Sequence, residues 1–142
     1  MALHGKEKVG VLLVNTGTPS APEPKAVKRY LAQFLMDKHI APMNRFIWWF
    51  ILHFAILPKR SVASAEKYRR IWTPEGSPLL VTHKALAAAL EARLESEGFD
   101  APVRIAMSYG EPPIKKALRD FCELECDRIV VLPLYPQTAH ST

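Results

Sequence analysis

Apolar residues along this chain follow two rhythms. Val9 to Asn15 (VGVLLVN), Val103 to Ser108 (VRIAMS) and Arg128 to Leu134 (RIVVLPL) are short, nearly unbroken apolar runs with many β-branched residues. Runs of this kind predict the strands of a parallel sheet, and the first, Val9 to Asn15, reads as buried on both faces. Between them the spacing turns helical. Lys25 to Met36 places Val27, Tyr30, Leu31, Phe34 and Leu35 at core spacing. Ser61 to Trp72 predicts a second helix and Pro112 to Leu124 another. A further helix starts at Ser77-Pro78, where serine caps and proline takes the first helical position. Its expected buried face is Leu79, Leu86, Leu90 and Leu94, and Gly98 ends it as a left-handed residue. Thr16-Gly17-Thr18-Pro19 and Thr73-Pro74-Glu75-Gly76 read as loop and turn. The order strand, helices, strand, helix, strand predicts an α/β fold: a parallel sheet with helices on both faces.

One stretch fits neither rhythm. Phe46 to Leu57 (FIWWFILHFAIL) holds a single polar side chain, His53, in twelve residues. As a helix it spans about 18 Å at 1.5 Å per residue, and a bilayer core needs about 20 apolar residues. A transmembrane helix is therefore excluded. Arg45 on one side and Pro58-Lys59-Arg60 on the other flank a piece that is either packed in the core or laid at an apolar surface.

Composition mostly narrows the field. A length of 142 residues with 49% hydrophobic and 23% charged residues describes one globular domain. The net charge of +5 suits an anionic ligand or membrane surface, but no arginine-rich run or nucleic-acid motif is present, so nucleic acid is not expected as a partner. Cys122 and Cys126 lack zinc or redox spacing, which makes a reduced cytoplasmic setting the default. Met1 to Lys8 lacks the apolar core of a signal peptide and is expected to be a disordered lead-in, residues 1–8, to one domain over 9–142. No G-x-G-x-x-G follows the first strand, and neither a P-loop nor a G-x-S-x-G elbow occurs, which removes support for dinucleotide binding, NTPase or serine hydrolase chemistry.

In an open parallel sheet, ligands bind outside the carboxyl ends of the strands. Here those ends are Asn15-Thr16-Gly17-Thr18, Tyr109-Gly110-Glu111 and Tyr135-Pro136-Gln137-Thr138, rich in hydroxyl, amide and aromatic groups. They suit a flat ligand that is part polar and part aromatic.

Four segments in register, LLVNTGTP, KYRRIWTPEGSPL, AMSYGEPPI and VLPLYPQTAHST, give the chain a resemblance to the ferrochelatases from about Val9 to Thr142. The resemblance implies the first of two similar α/β domains flanking a deep porphyrin cleft, the second being absent from this chain. It implies an enzyme that inserts Fe²⁺ into protoporphyrin IX in the last step of heme biosynthesis, a lyase. It places Asn15 and Thr16 under the macrocycle and assigns Arg60, Tyr68 and Ser77 to porphyrin contact, with Tyr135 and Gln137 at the third strand end. A guanidinium at position 60 is able to grip a propionate with two parallel hydrogen bonds. Ser77 is read either as a donor or simply as an N-cap, and Tyr68 either as a ring contact or simply as core.

The resemblance also sets expectations about what is missing. The family's metal-binding histidine and glutamate lie in the second half, so no catalytic or metal residue is expected here and the chain alone is expected to be inactive. None of the five histidines, His4, His39, His53, His83 and His140, falls at that catalytic position. His140 stands where some relatives carry a cluster-binding cysteine, so an iron–sulfur cluster is not expected, nor any permanently bound cofactor. Phe46 to Leu57 corresponds to the apolar lip of the cleft and implies peripheral contact with the cytoplasmic face of a membrane. Other readings are a tetrapyrrole-binding module without catalysis and a related cobalt or nickel chelatase. Oligomeric state is not readable.

Overall fold

The structure, a computed structural model, describes residues 7–135. Three parallel strands, β1 (Val9–Thr18), β2 (Val103–Gly110) and β3 (Arg128–Pro133), form one sheet in the order β2-β1-β3. Val11 faces Val103 on one side and Val130 on the other. The chain thus leaves β1 in one lateral direction and returns across it in the other. Right-handed crossovers running in opposite directions put their helices on opposite faces.

That is the arrangement found. Alternating β1 side chains serve two cores. Leu12 and Val14, with Ala106, pack against Ala117 and Phe121 of α5 (Ile114–Glu123). Val11 and Leu13, with Val103, pack against Ala87 of α4 (Pro78–Ser96). Phe121 is fully buried, and a side chain at Gly10 would lie 2.5 Å from its ring, so the close fit of α5 on β1 requires the glycine. Burying such a phenylalanine stabilises by about 1.5–3 kcal/mol.

A third core is purely helical. α1 (Pro24–Leu35) turns Val27, Leu31 and Leu35 onto Leu52, Leu57 and Ala65. Those partners belong to one continuous helix: α2 (Arg45–Phe50), a π-helical segment (Ile51–Ile56) and α3 (Leu57–Ile71). The sequence pattern predicts a break at Pro58. Instead the helix widens just ahead of it, with the Leu57 amide donating to the Leu52 carbonyl five residues back. A proline inside a regular α-helix clashes with the carbonyl four residues earlier, and the wider turn relieves that clash.

The inward face of α4 is a correction. Leu79 and Leu86 point outward, at 36% and 46% exposure, while His83 and Ala87 are buried, with Leu90 and Leu94 partly so. The helix is apolar on both sides, and the small Ala87 allows the close approach that sets its rotation. Gly98 closes α4 at φ 82°, with the Phe99 amide reaching the Leu94 carbonyl at 2.9 Å. The cysteines also separate: Cys122 is exposed on α5, and Cys126 lies beyond the helix end, packed beside Phe121.

His83 is 2% exposed, and neither ring nitrogen has a partner among the described residues. Burial lowers its pKa below the ordinary value. The folded chain therefore resists protonation that the unfolded chain accepts near pH 6.5. Its contribution is complete above that pH and declines as pH falls. We expect unfolding free energy from urea titrations to drop between pH 7 and 5.5, and His83→Leu to flatten that slope without loss of stability at pH 7.5. A slope unchanged in the variant would exclude His83 as its source.

Candidate functional site

The carboxyl ends of the strands carry the helical wall formed by α1 and α3. Three hydrogen bonds attach it, two from α1 and one from Asp37 just past its end. The Tyr30 hydroxyl donates to the Gly17 carbonyl at 3.2 Å. The Gln33 side-chain oxygen accepts from the Gly110 amide at 3.0 Å. The Asp37 carboxylate accepts from the Tyr109 hydroxyl at 2.8 Å. The Phe34 ring meets Tyr109 edge to face at 5.2 Å between centroids. At the far end of α1, the Trp48 indole donates to the Leu35 carbonyl at 2.6 Å and ties the apolar segment to the same wall.

β1 must reach this wall, and it does so by running on through Thr18. The Thr16-Gly17-Thr18 stretch, expected as a loop, is strand: Gly17 pairs with Tyr109 and Thr18 with Gly110. Gly17 has φ 123°, and a Cβ there would lie 1.8 Å from the Tyr109 carbonyl oxygen. Only glycine allows the two backbones to meet so closely.

The described tyrosines converge here. Tyr135 lies at the end of β3, yet its hydroxyl is 3.0 Å from Ser108 on β2, so the side chain crosses the end of β1. Tyr30 is pushed up to about 12, first by burial and then by Tyr68 and Tyr135 nearby. Tyr109 is also pushed up to about 12, by burial and by its bond to Asp37. Burial raises Tyr68 as well. All remain neutral donors in ordinary buffers. The carboxyl of Asp37 is held below the usual range by the His39 amide and then by Tyr109.

Between α1 and α3 runs a groove of about 430 Å³, lined by Tyr30, Leu31 and Phe34 on one side and Arg60, Ser64, Lys67, Tyr68 and Ile71 on the other. That volume falls in the range of small-molecule sites. A larger hollow of about 580 Å³, lined in part by Lys8, Glu91 and Pro102, sits at the amino ends of β1 and β2, the wrong end of a parallel sheet for a ligand.

The residues singled out in the sequence are distributed as follows. Arg60 and Tyr68 share the groove, Arg60 exposed and Tyr68 half-buried. Tyr135 approaches it through Tyr30. Asn15 and Thr16 are half-buried strand residues just before Gly17, and the Asn15 side-chain oxygen accepts from the Thr16 amide at 2.8 Å. Ser77 is only 4% exposed; it makes no side-chain cap and accepts from the Thr18 hydroxyl at 2.8 Å. In this geometry it latches α4 to the end of β1, and its oxygen does not face the groove. Gln137, His4 and His140 lie outside the described residues. Among the described residues no three His, Cys, Asp or Glu side chains cluster to hold a metal. Tyr30, Phe34 and Tyr109, central here, were legible only as core or strand-end residues. The one available signal was the spacing of Tyr30 and Gln33 on α1 with Asp37 just past its end.

Most of the apolar segment faces outward. Leu52 is fully buried and Trp48 partly, but Phe46 is 81% and Phe54 71% exposed. Trp49, Phe50 and Phe54 pack on one another, and His53 stacks on Trp49 at 4.6 Å. Among the described residues no helix is long and apolar enough to cross a membrane.

Known proteins match this chain from end to end. A family model described as Ferrochelatase covers residues 8–142. A ferrochelatase of Aeromonas hydrophila is 46% identical over 135 residues, covering 95% of this chain and 42% of its own length. That of Aliivibrio fischeri is 48% identical over 136 residues, 96% and 41%. That of Alcanivorax borkumensis is 50% identical over 151 residues, 100% and 44%. The chain therefore spans about two fifths of the length of the curated relatives it matches.

Because the wall depends on the β1–β2 contact at Gly17, Gly17→Ala is expected to destabilise the fold by about 2 kcal/mol or more, from backbone strain and the forced separation of the strands. Urea unfolding midpoints test this. A change within about 0.5 kcal/mol, the range of ordinary surface substitutions, would mean that the strand ends part without cost.

Proposed function

The chain belongs to the ferrochelatase family, and on that premise we propose that its full-length protein inserts Fe²⁺ into protoporphyrin IX, this chain supplying one porphyrin-binding wall. The observation that carries the reading is the groove of aromatic faces and exposed cations at the carboxyl ends of the strands, in a chain that matches the family over residues 8–142.

The chemistry of the wall follows from its residues. Tyr30, Phe34 and Tyr68 offer flat apolar faces to a macrocycle. Arg60 takes a propionate in a bidentate grip. Tyr135, Asn15 and Thr16 form the floor against which the ring edge rests, and Ser77 acts through Thr18 by holding that floor. Gln137 is proposed as a further porphyrin contact on the family resemblance alone. Distortion of the ring and removal of its pyrrole protons need a base facing this wall, supplied by the remaining length of the protein as a second, similar domain. Iron is the substrate, and no resident cofactor is assigned.

The exposed aromatic segment between Arg45 and Lys59 supports docking at an anionic membrane surface on the cytoplasmic side. It also supports protoporphyrin, with its apolar edge, over more polar porphyrins.

Two experiments test these readings. The chain is expected to quench porphyrin fluorescence but to insert neither iron nor zinc; insertion above that of an Arg60→Ala control would refute the division of labour. It is expected to sediment with anionic liposomes, and Phe46→Ser with Phe54→Ser to weaken that binding tenfold or more, since each buried phenylalanine is worth about 1.5–3 kcal/mol. Equal lipid binding by the double variant would remove the segment from the membrane.

A further inference from the structure

The groove carries a second cation that the family resemblance does not single out. Arg60, Ser64, Lys67 and Tyr68 line it from α3 at positions i, i+4, i+7 and i+8. Seven residues of helix advance about 10 Å and return to nearly the same face. Arg60 and Lys67 therefore stand at two levels of one stripe, with a small hydroxyl between them. Both are exposed. Neither forms an ion pair with a described residue; the nearby Glu66 turns to Arg69 at 3.3 Å instead. Among the described residues no acidic side chain lines the groove. The opposite wall is aromatic, its Tyr30 hydroxyl already committed to the Gly17 carbonyl.

We infer that Lys67 is a second carboxylate anchor, so that α3 grips a ligand with two carboxylates on one edge, Arg60 taking one and Lys67 the other. The inference rests on the tetrapyrrole reading and adds to it the residue that takes the second carboxylate. Guanidinium gives the directional, bidentate contact and ammonium the adaptable point charge. Two different cations on long stems let the arms settle at unequal depths.

The test is fluorescence-quenching titration of this chain with deuteroporphyrin IX, which carries two propionates, and with its neutral bis-amide. Lys67→Gln is expected to weaken the diacid about five- to tenfold, the range for a partly exposed charge-assisted hydrogen bond, and to leave the bis-amide unchanged. Lys67→Arg is expected to restore the diacid. Lys67 is exposed, and an unchanged urea midpoint for the variant confirms an intact fold. Undiminished diacid binding by Lys67→Gln while Arg60→Gln weakens it would overturn the second anchor and leave the tetrapyrrole reading standing. Equal losses for diacid and bis-amide would overturn it too, since charge would then not be the cause. Binding of neither ligand by the unmodified chain would remove the tetrapyrrole reading and this inference with it.

Discussion

The attachment of α1 to the ends of β1 and β2 governs the rest of the molecule. Without it the chain would be a three-stranded sheet with one helix on each face and a loose helical hairpin alongside. Tyr30, Gln33 and Asp37 each bond to a strand-end group, at Gly17, Gly110 and Tyr109. Each of these bonds is modest alone, about 0.5–1.5 kcal/mol net and more where a carboxylate accepts. Together they fix a direction: they stand α1, and α3 packed on it, over the region where a parallel sheet binds ligands. The groove is a consequence of that direction, since its two sides are these two helices.

A second constraint acts on the long helix from Arg45 to Ile71. One stripe of it must seal the helical core through Leu52, Leu57 and Ala65, yet residues 46–54 present large apolar side chains all round. The π-helical segment absorbs this conflict. Its wider turn accommodates Pro58 and turns Leu52 and Leu57, five residues apart, onto the same buried cluster. The surplus of aromatic residues is left outside. A helix polar on that side would hold the core equally well, so the exposed aromatic face owes nothing to folding.

The sequence was most legible where burial dictates it. β1 has Leu12, Leu13 and Val14 all buried, and an apolar run with no alternation says as much. The parallel sheet with helices on both faces follows from the βαβ pattern, while the strand order β2-β1-β3 does not. It was least legible where a tertiary contact overrides a local signal. Thr16-Gly17-Thr18 reads as a loop because its side chains are polar, but the pairing of Gly17 with Tyr109 keeps it in the sheet. Ser77-Pro78 reads as a capped helix start, and the helix does start there, but the serine hydroxyl goes to Thr18. The rotation of α4 was misread because Leu79 and Leu86 satisfy helical periodicity as well as His83 and Ala87 do, and only the sheet decides between them. Tyr30 and Phe34 were placed in the core by their spacing. They are half-buried, and their exposed faces make the groove.

The distribution of polar groups around the groove carries the argument one step further. Tyr30 donates to a backbone carbonyl, Tyr109 to a carboxylate, and Tyr135 shares a proton with Ser108. These hydroxyls are used inside the protein, and what their rings offer a ligand is surface. The groove groups with the most unspent hydrogen-bonding capacity are the cations of α3, beside the Ser64 and Tyr68 hydroxyls. A site built this way discriminates most strongly among ligand substituents that are charged, because these meet cations the fold has not already used. Recognition then resides at the acidic edge of a flat molecule, while the rest of the ring is held by area alone.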